Sequence, residues 1–249
     1  MNEKKIRLQN LHTPGIANKS GSLSVLYEDN HLLAVNKRPG DIVQGDKTGD
    51  KPLSEIVKDY IKEKYGKPGE VFLGVAHRID RPVSGVVLFA RTSKALERIN
   101  ELFREKQIRK TYWAVVKNKP SEDSGLLKNY LFKNEKLNKS FVTDVTNKDA
   151  SLCELEYKII AKSDTYFLLE IEPHTGRHHQ IRVQLAFMGC PIKGDLKYGF
   201  DRSNKDASVH LHARSLSFIH PVKKEMVEIT ASPPDEVLWN YFLKDNAIV

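Results

Sequence analysis

The stretch His77-Arg78-Ile79-Asp80-Arg81-Pro82-Val83-Ser84-Gly85 places one carboxylate between two arginines, shortly before a Pro and a Gly that bend the backbone. Apolar runs at 71–75 and 86–89 predict strands on either side, so Asp80 is expected in a loop between them. Neighbouring guanidinium groups favour an ionised carboxylate, which a nucleophile or an electrostatic stabiliser needs. An aspartate before Pro and Gly is also a common turn former. This stretch alone therefore leaves a chemical and a structural role open.

The patterns outward from this loop predict an α+β protein with a mainly antiparallel mixed sheet. Apolar runs at 25–26 and 32–35 predict a hairpin, and 53–65 predicts an amphipathic helix. Thr92 or Ser93 is expected to cap a second helix. The remaining predicted elements are a strand at Tyr112, a small hairpin around 128–132, strands at 153–159, 165–171 and 209–218, and helices from about His179 to Gly189 and at 235–243. There is neither an internal repeat nor a strict βαβ alternation.

Length and composition limit the classes of protein that fit. The chain has 249 residues, of which 1–20 are expected to form a flexible polar lead-in and 21–249 a single domain. The two cysteines, Cys153 and Cys190, match no metal or redox spacing and indicate reduced thiols. No apolar run is long enough to span a bilayer, so we expect a cytoplasmic protein without a membrane partner.

The charge distribution favours a polyanionic partner. Lys plus Arg number 40 against 32 Asp plus Glu, a net charge of +8, and residues 173–194 contain no acidic residue. A second basic stretch at 104–119 interleaves aromatic residues, and 117–148 is rich in lysine. Cationic surfaces with interspersed aromatic rings hold phosphate backbones and stack unpaired bases.

Several separated motifs carry a resemblance to a known family. They are the stretch around Asp80, Lys110-Thr111-Tyr112, His174-Thr175-Gly176-Arg177-His178-His179-Gln180-Ile181-Arg182, Gly194-Asp195 and Tyr198-Gly199. In this order they resemble the RluA-type RNA pseudouridine synthases, and the resemblance covers residues from about 23 to 221. It implies the pseudouridine synthase fold, with two lobes and a central active-site cleft flanked by helices and loops.

The resemblance also implies a reaction and a partner. The reaction is isomerisation of uridine to pseudouridine in ribosomal or transfer RNA, by cleavage of the N1–C1′ bond, rotation of the flipped base and rejoining through C5. It requires neither a metal nor another cofactor. We expect a monomer without an obligate protein partner.

Residue roles follow from matching the family motifs. Asp80 matches the catalytic aspartate, and whether it attacks C1′ or assists elimination across C1′–C2′ stays open. Arg182 matches the arginine that pairs with this carboxylate, and Tyr112 matches the tyrosine that stacks on the base and serves in proton transfer. Arg78 matches the arginine that fills the space left by the flipped base. The expected substrate-binding residues are His77, Arg78, Lys110, Arg177, His179, Gln180 and Leu211.

The sequence departs from the family pattern at three places, and two other functions are also considered. Val83 stands where a Thr is usual, His178 replaces a Thr or Ser, and Lys37-Arg38-Pro39-Gly40 alters the usual Lys-Pro-x-Gly order. A non-catalytic RNA-binding protein that keeps the fold is one alternative. A metal-dependent hydrolase using the histidines at 174, 178 and 179 is the other, but no acidic residue lies between 173 and 194 to complete such a site.

Overall fold

The computed structural model describes residues 23–46 and 48–244, so the predicted lead-in at 1–20 lies outside the described residues. The chain divides into two compact units: unit 1 contains the described residues up to Arg109 and Arg214–Ser232, and unit 2 contains Lys110–Ala213 and those from Pro233 onward. The elements are β1 (Val25–Glu28), β2 (Leu32–Lys37), α1 (Leu53–Lys64), β3 (Gly74–Val75), β4 (Ser84–Ala90), α2 (Ser93–Arg104), β5 (Arg109–Val116), β6 (Ser124–Asn134), β7 (Lys139–Thr143), β8 (Ser151–Lys162), β9 (Phe167–Pro173), α3 (Gln180–Phe187), β10 (Leu211–Ile219), β11 (Met226–Thr230) and α4 (Val237–Phe242).

Unit 1 is built on strands in the order β1-β2-β4-β10, with β3 paired to β4 and β11 paired to β10. The predicted hairpin is confirmed as the antiparallel pair β1 and β2. Every residue of β4 is buried, which explains its continuous apolar sequence. The Thr92 side chain accepts a hydrogen bond from the Ala95 amide at 3.1 Å and caps α2, whose Ala95 and Ile99 pack into the core of this unit.

Unit 2 carries the strand order β5-β9-β8-β6-β7. In the first half of β8, Cys153, Leu155 and Tyr157 are buried while Glu156 and Lys158 are exposed, as the alternation predicted. One cluster on this unit joins the strands to α3 and consists of Leu131, Cys153, Val183 and Tyr198. A second cluster joins them to α4 through Trp239 and Phe242.

The predicted α+β class is confirmed, whereas two local predictions were wrong in extent and one strand was missed. The run at 71–75 forms a strand only at Gly74–Val75. The polar segment after Lys117 contains β6, an eleven-residue strand that pairs with β8 over eight positions, Ser124–Leu131. Strand β11 was not predicted, because it has only five residues and its buried positions, Val227 and Ile229, alternate with exposed ones over this short length. Among the described residues, no helix has the length and apolar character needed to cross a membrane.

Candidate functional site

Asp80 begins a tight turn that leads directly into β4. The Val83 amide donates to the Asp80 carbonyl at 3.0 Å, which closes the turn. The Arg81 carbonyl accepts from the Gly40 amide at 2.9 Å and from Lys37 Nζ at 3.0 Å. Val83, which replaces the usual Thr, is 2% exposed. The turn is therefore held through its main chain, with Lys37 Nζ as a side-chain donor, and Asp80 is partly buried.

The two residues that precede this turn in the motif have different environments. His77 Nε2 accepts the Leu88 amide of β4 at 2.9 Å, and its ring lies 5.0 Å from the ring of Phe103. Arg78 is exposed. His77 thus has a clear structural role beside its predicted role in substrate binding, whereas the Arg78 guanidinium is available to a partner.

In unit 2, β5 positions Lys110 and Tyr112. Tyr112 pairs with Ile171 of β9 and is partly buried. Lys110 Nζ donates to the Thr175 carbonyl at 3.3 Å, which ties β5 to the loop before α3. Leu211, at the start of β10, is 4% exposed and packs inside the protein.

The loop before α3 is organised by the buried Gln180 side chain. Its Oε1 accepts from Thr175 Oγ1 at 2.7 Å and from the Arg177 amide at 3.2 Å, and its Nε2 donates to the Glu154 carbonyl at 3.0 Å. Because all three bonds join the Gln180 side chain to other residues of the chain, Gln180 holds the loop in its conformation. Arg177, in contrast, is exposed at its tip.

A hydrogen-bonded group of His178, His179, Tyr198 and Ser140 lies at the start of α3. The Tyr198 hydroxyl accepts the Ser140 amide at 2.9 Å and lies within hydrogen-bonding distance of His179 Nδ1, at 2.8 Å. Ser140 Oγ donates to the His178 carbonyl at 2.7 Å and lies 2.9 Å from His178 Nδ1. The two imidazole rings stack with centroids 3.7 Å apart. His178, unusual for the family motif, therefore has a local partner in Ser140.

Arg182 forms a buried bidentate ion pair within unit 2. Its Nε lies 2.7 Å from Asp195 Oδ2 and its Nη2 lies 2.8 Å from Asp195 Oδ1, and both side chains are almost inaccessible. Its guanidinium also lies 5.1 Å from the centre of the Tyr198 ring, a cation–π distance. The planar fork of arginine matches two carboxylate oxygens, which fixes the orientation of the Arg182 side chain. The predicted pairing of Arg182 with Asp80 stays a prediction.

The residue before Asp195 must be glycine, which provides a stability test. Gly194 has φ +86°, and a Cβ there would lie 2.6 Å from Asn204 Nδ2 and 2.7 Å from the Ser208 carbonyl oxygen. We expect Gly194→Ala to lower the free energy of unfolding by roughly 2–4 kcal/mol, because backbone strain adds to overpacking. Gly199→Ala is the control: Gly199 has φ +94° but nothing within 4 Å, so strain alone should cost about 1 kcal/mol. Urea unfolding of both variants checks this, and equal losses would contradict the crowding argument.

Two of the lysines considered for RNA contact, and His174, lie on the surface of unit 2. Lys117 and Lys119 are exposed, with Nζ 3.8 Å from Asp201 Oδ2 and 3.0 Å from Asp123 Oδ1, respectively. His174 Nε2 lies 3.1 Å from Glu156 Oε1 on an exposed surface. Across residues 23–46 and 48–244, no three His, Cys, Asp or Glu side chains are grouped so that they could hold a metal ion. The arrangement gives the hydrolase alternative no support.

Sequence reasoning assigned no role to several residues that shape these parts of the protein. Asp195 and Tyr198 were quoted in the motifs, but their contacts with Arg182 and His179 join residues 13 and 19 positions apart. Ser140 carried no signal beyond its residue type, and Lys37 was noted only as part of the altered Lys-Pro-x-Gly pattern. For Asp195, the sequence signal that could have indicated a role was its position next to Gly194 in a family motif.

Comparison with known proteins supports the resemblance to the family. Residues 31–187 match the family model described as RNA pseudouridylate synthase. The ribosomal large subunit pseudouridine synthase C of Vibrio vulnificus is 34% identical over 215 residues, which cover 83% of this chain and 64% of that protein. The tRNA pseudouridine synthase C of Vibrio parahaemolyticus is 32% identical over 249 residues, covering 91% and 98%. The chain thus spans slightly less than two thirds of the first of these relatives.

Solved structures agree in fold. The human RNA pseudouridylate synthase domain containing 4 superimposes with a TM-score of 0.72 at 25% identity, covering 85% of this chain and 89% of that one. The human RNA pseudouridylate synthase domain containing 1 gives a TM-score of 0.70 at 20% identity, which bears on the fold alone. With these matches the resemblance to the RluA-type proteins is confirmed, and the chain belongs to the RNA pseudouridylate synthase family.

Proposed function

We propose that the chain is an RNA pseudouridine synthase. The observation that carries this proposal is the family match over residues 31–187, which contains the Asp80 turn, Tyr112 and Arg182. The reaction is an isomerisation: the N1–C1′ bond of uridine breaks, a C5–C1′ bond forms, the proton on C5 leaves and N1 gains one. No atom is added or lost, so no co-reactant is required.

Asp80 is the catalytic residue of this proposal. Its carboxylate either attacks C1′ and forms an ester that later reverses, or removes the C2′ proton and returns it after the base has turned. Both routes need an ionised carboxylate held close to the sugar. The main-chain bond that closes the Asp80–Val83 turn supports this role, because it fixes the backbone that carries the Asp80 side chain.

In this proposal Tyr112 stacks on the flipped base, Arg78 fills the space that the base leaves, and Arg182 orients Asp80. Flipping costs a few kcal/mol, since a stacked uridine cannot present both C1′ and C5 to one carboxylate. The exposed Arg78 side chain occupies the space that the base leaves. The bidentate pair with Asp195 supports a fixed guanidinium at Arg182 that orients the catalytic carboxylate.

The contacts to the rest of the RNA are proposed to be mainly to phosphates. The exposed residues Arg177, Lys117 and Lys119 supply positive charge on unit 2. Phosphate contacts position the RNA without reading its sequence, so the choice of uridine depends on the shape of the RNA. Binding should therefore weaken as the salt concentration rises.

The hydroxyl of Tyr112 provides a test of proton transfer. We expect Tyr112→Phe to keep the stacked ring and the RNA affinity but to slow the single-turnover rate by about 10²–10⁴-fold, the usual contribution of a general acid or base. Tyr166→Phe is the matched control, because Tyr166 packs with the Trp239 cluster of the same unit, and it should leave the rate unchanged. A normal rate for Tyr112→Phe would mean that its hydroxyl is idle.

Pseudouridine mapping tests the proposed function and identifies the RNA. Ribosomal and transfer RNA are compared from cells that lack the protein and from the same cells complemented with wild type or Asp80→Asn. Sites that disappear on deletion and return only with wild type support the proposal and separate a ribosomal from a transfer RNA substrate. If the protein binds these RNAs but no site changes, the non-catalytic RNA-binding alternative is favoured instead.

A further inference from the structure

The hairpin formed by β6 and β7 in unit 2 has two faces of different character. In this antiparallel pair, Leu131 lies opposite Val142 and Phe132 lies opposite Phe141. Leu131 is 4% exposed, and both it and Val142 belong to the cluster that joins the strands to α3. Because successive side chains of a strand point to opposite faces, Phe132 and Phe141 lie on the face turned away from that cluster. Both phenylalanines are only partly buried.

The two phenylalanine rings form an aromatic surface beside a lysine. The ring centroids lie 5.6 Å apart and the ring planes differ by 25°, so the two rings are nearly parallel. Lys139 Nζ lies 5.5 Å from the centre of the Phe141 ring. Aromatic rings on a sheet with a cation beside them are the groups that proteins use to stack an unpaired base and contact its phosphate. Phe132, Phe141 and Lys139 are called the aromatic face below.

The hairpin around the aromatic face is positively charged. Residues 128–143 contain four lysines and one acidic residue, Glu135, which lies 2.7 Å from Lys133 Nζ. Lys197 adds a further cation at the tip, where its Nζ donates to the Asn138 carbonyl at 3.0 Å. This charge is complementary to a phosphate backbone. Since the chain belongs to a family named for its action on RNA, RNA is the polyanion that fits this surface.

Hydrogen bonds hold the edge strand β7 against residues of the family motifs. The Ser140 amide donates to the Tyr198 hydroxyl at 2.9 Å, and Ser140 Oγ donates to the His178 carbonyl at 2.7 Å. Lys139 Nζ lies 5.2 Å from the centre of the Tyr198 ring, and the Arg182 guanidinium lies 5.1 Å from the same centre. The aromatic face is therefore close to the arginine that is proposed to orient the catalytic carboxylate.

We propose that the aromatic face binds an unpaired nucleotide of the RNA that neighbours the target uridine: the base stacks on the phenylalanine rings, and the Lys139 ammonium contacts the adjacent phosphate. The proposal rests on the proposed function, because it takes RNA as the substrate. Stacking requires an exposed base, so this contact favours an RNA with an unpaired segment over a continuous duplex. The aromatic face contributes to the choice of substrate and takes no part in breaking or forming bonds.

The first test measures binding of a short single-stranded oligouridine and of an RNA duplex of the same length. Phe132→Leu and Phe141→Leu each remove a ring but keep an apolar side chain. We expect each variant to bind the single strand about 5- to 150-fold more weakly, the usual effect of losing one base–aromatic stack, and to bind the duplex as wild type does. Phe141→Trp keeps an aromatic ring and should retain single-strand binding.

Tyr166→Leu is the matched control for the loss of a ring in unit 2. Tyr166 is also partly buried, but it packs with the Trp239 cluster. It precedes Phe167, which pairs with the last residue of β8, whereas Leu131 of the hairpin pairs with the first. This variant should bind both RNAs as wild type does. An equal loss in Tyr166→Leu, or a folded Phe141→Leu protein with wild-type affinity for the single strand, would overturn the proposal.

Lys139→Gln tests the phosphate contact separately from the stack. The slope of the logarithm of the affinity against the logarithm of the salt concentration should fall by about 0.7, the value for one phosphate contact on a single strand. Lys162→Gln is its control, because Lys162 is exposed at the other end of β8, and its slope should match wild type. Equal slopes in wild type and Lys139→Gln would remove Lys139 from the aromatic face.

Fluorescence of a 2-aminopurine base in the single strand gives a readout of stacking itself. This fluorescence should be quenched when wild type binds and less quenched with either leucine variant, while thermal unfolding checks that each protein is folded, since a cross-strand aromatic pair also stabilises a hairpin. A base that stays unquenched on wild type refutes stacking, whether or not the variants fold.

Binding and fluorescence do not depend on turnover, so the two proposals can fail separately. If wild type forms no pseudouridine on any RNA but quenches the base through the phenylalanine rings, the proposed function fails and the aromatic face stands. If pseudouridine forms and the leucine variants bind the single strand as wild type does, the aromatic face fails and the proposed function stands.

Discussion

Asp80→Asn should lower pseudouridine formation by at least about 10⁴-fold while RNA affinity stays close to that of wild type. The amide has nearly the volume of the carboxylate but can neither attack C1′ nor take up a proton from C2′. The turn should survive, because its closing bond joins the Asp80 carbonyl to the Val83 amide and does not involve the side chain. Single-turnover assays with excess enzyme, together with RNA binding and thermal unfolding, measure the three quantities separately.

Asp50→Asn is the control for a nearby carboxylate. Asp50 Oδ2 lies 2.7 Å from Arg81 Nη2 on the exposed surface of unit 1, and exposed pairs of this kind contribute little. This variant should retain the wild-type rate. Measurable turnover by Asp80→Asn, or an equal loss in Asp50→Asn, would remove Asp80 from the role proposed for it.

Arg182→Met should produce the largest loss of stability among the variants considered. The substitution leaves the Asp195 carboxylate, 1% exposed, without the guanidinium that it contacts at 2.7 and 2.8 Å. Breaking a buried pair by removing one partner costs about 3–5 kcal/mol in the free energy of unfolding. We also expect turnover to be lost, since Arg182 is proposed to orient Asp80. Urea unfolding and assays at a temperature where the variant stays folded separate the two effects.

A double variant distinguishes the structural from the catalytic contribution of Arg182. In Arg182→Met with Asp195→Leu, no buried charge remains unpaired, so much of the lost stability should return. Turnover should stay low, because the guanidinium is still missing. An Arg182→Met protein as stable as wild type would contradict the importance of the ion pair, and an active double variant would contradict the proposed role in catalysis.

Residue patterns predicted the parts of the fold that depend on local sequence. The predictions match the structure for the continuous apolar run of β4, the alternation in β8 and the Thr92 cap of α2. For the two strands the reason is that burial on one or both faces determines the order of apolar and polar residues. Segments without a clear period were less predictable. Strand β6 has mixed polar and apolar residues, and its eleven-residue length comes from pairing with β7 and β8.

The sequence by itself determined the α+β class, the family and the motifs around Asp80, Tyr112 and Arg182. The tertiary structure alone decided how the polar groups of these motifs are paired: Arg182 with Asp195, His179 with Tyr198, and Lys37 with the Arg81 carbonyl 44 positions away. The physical reason is that a periodic pattern reports whether a side chain is buried, whereas an ion pair or hydrogen bond depends on which distant segment the folded chain brings within about 3 Å.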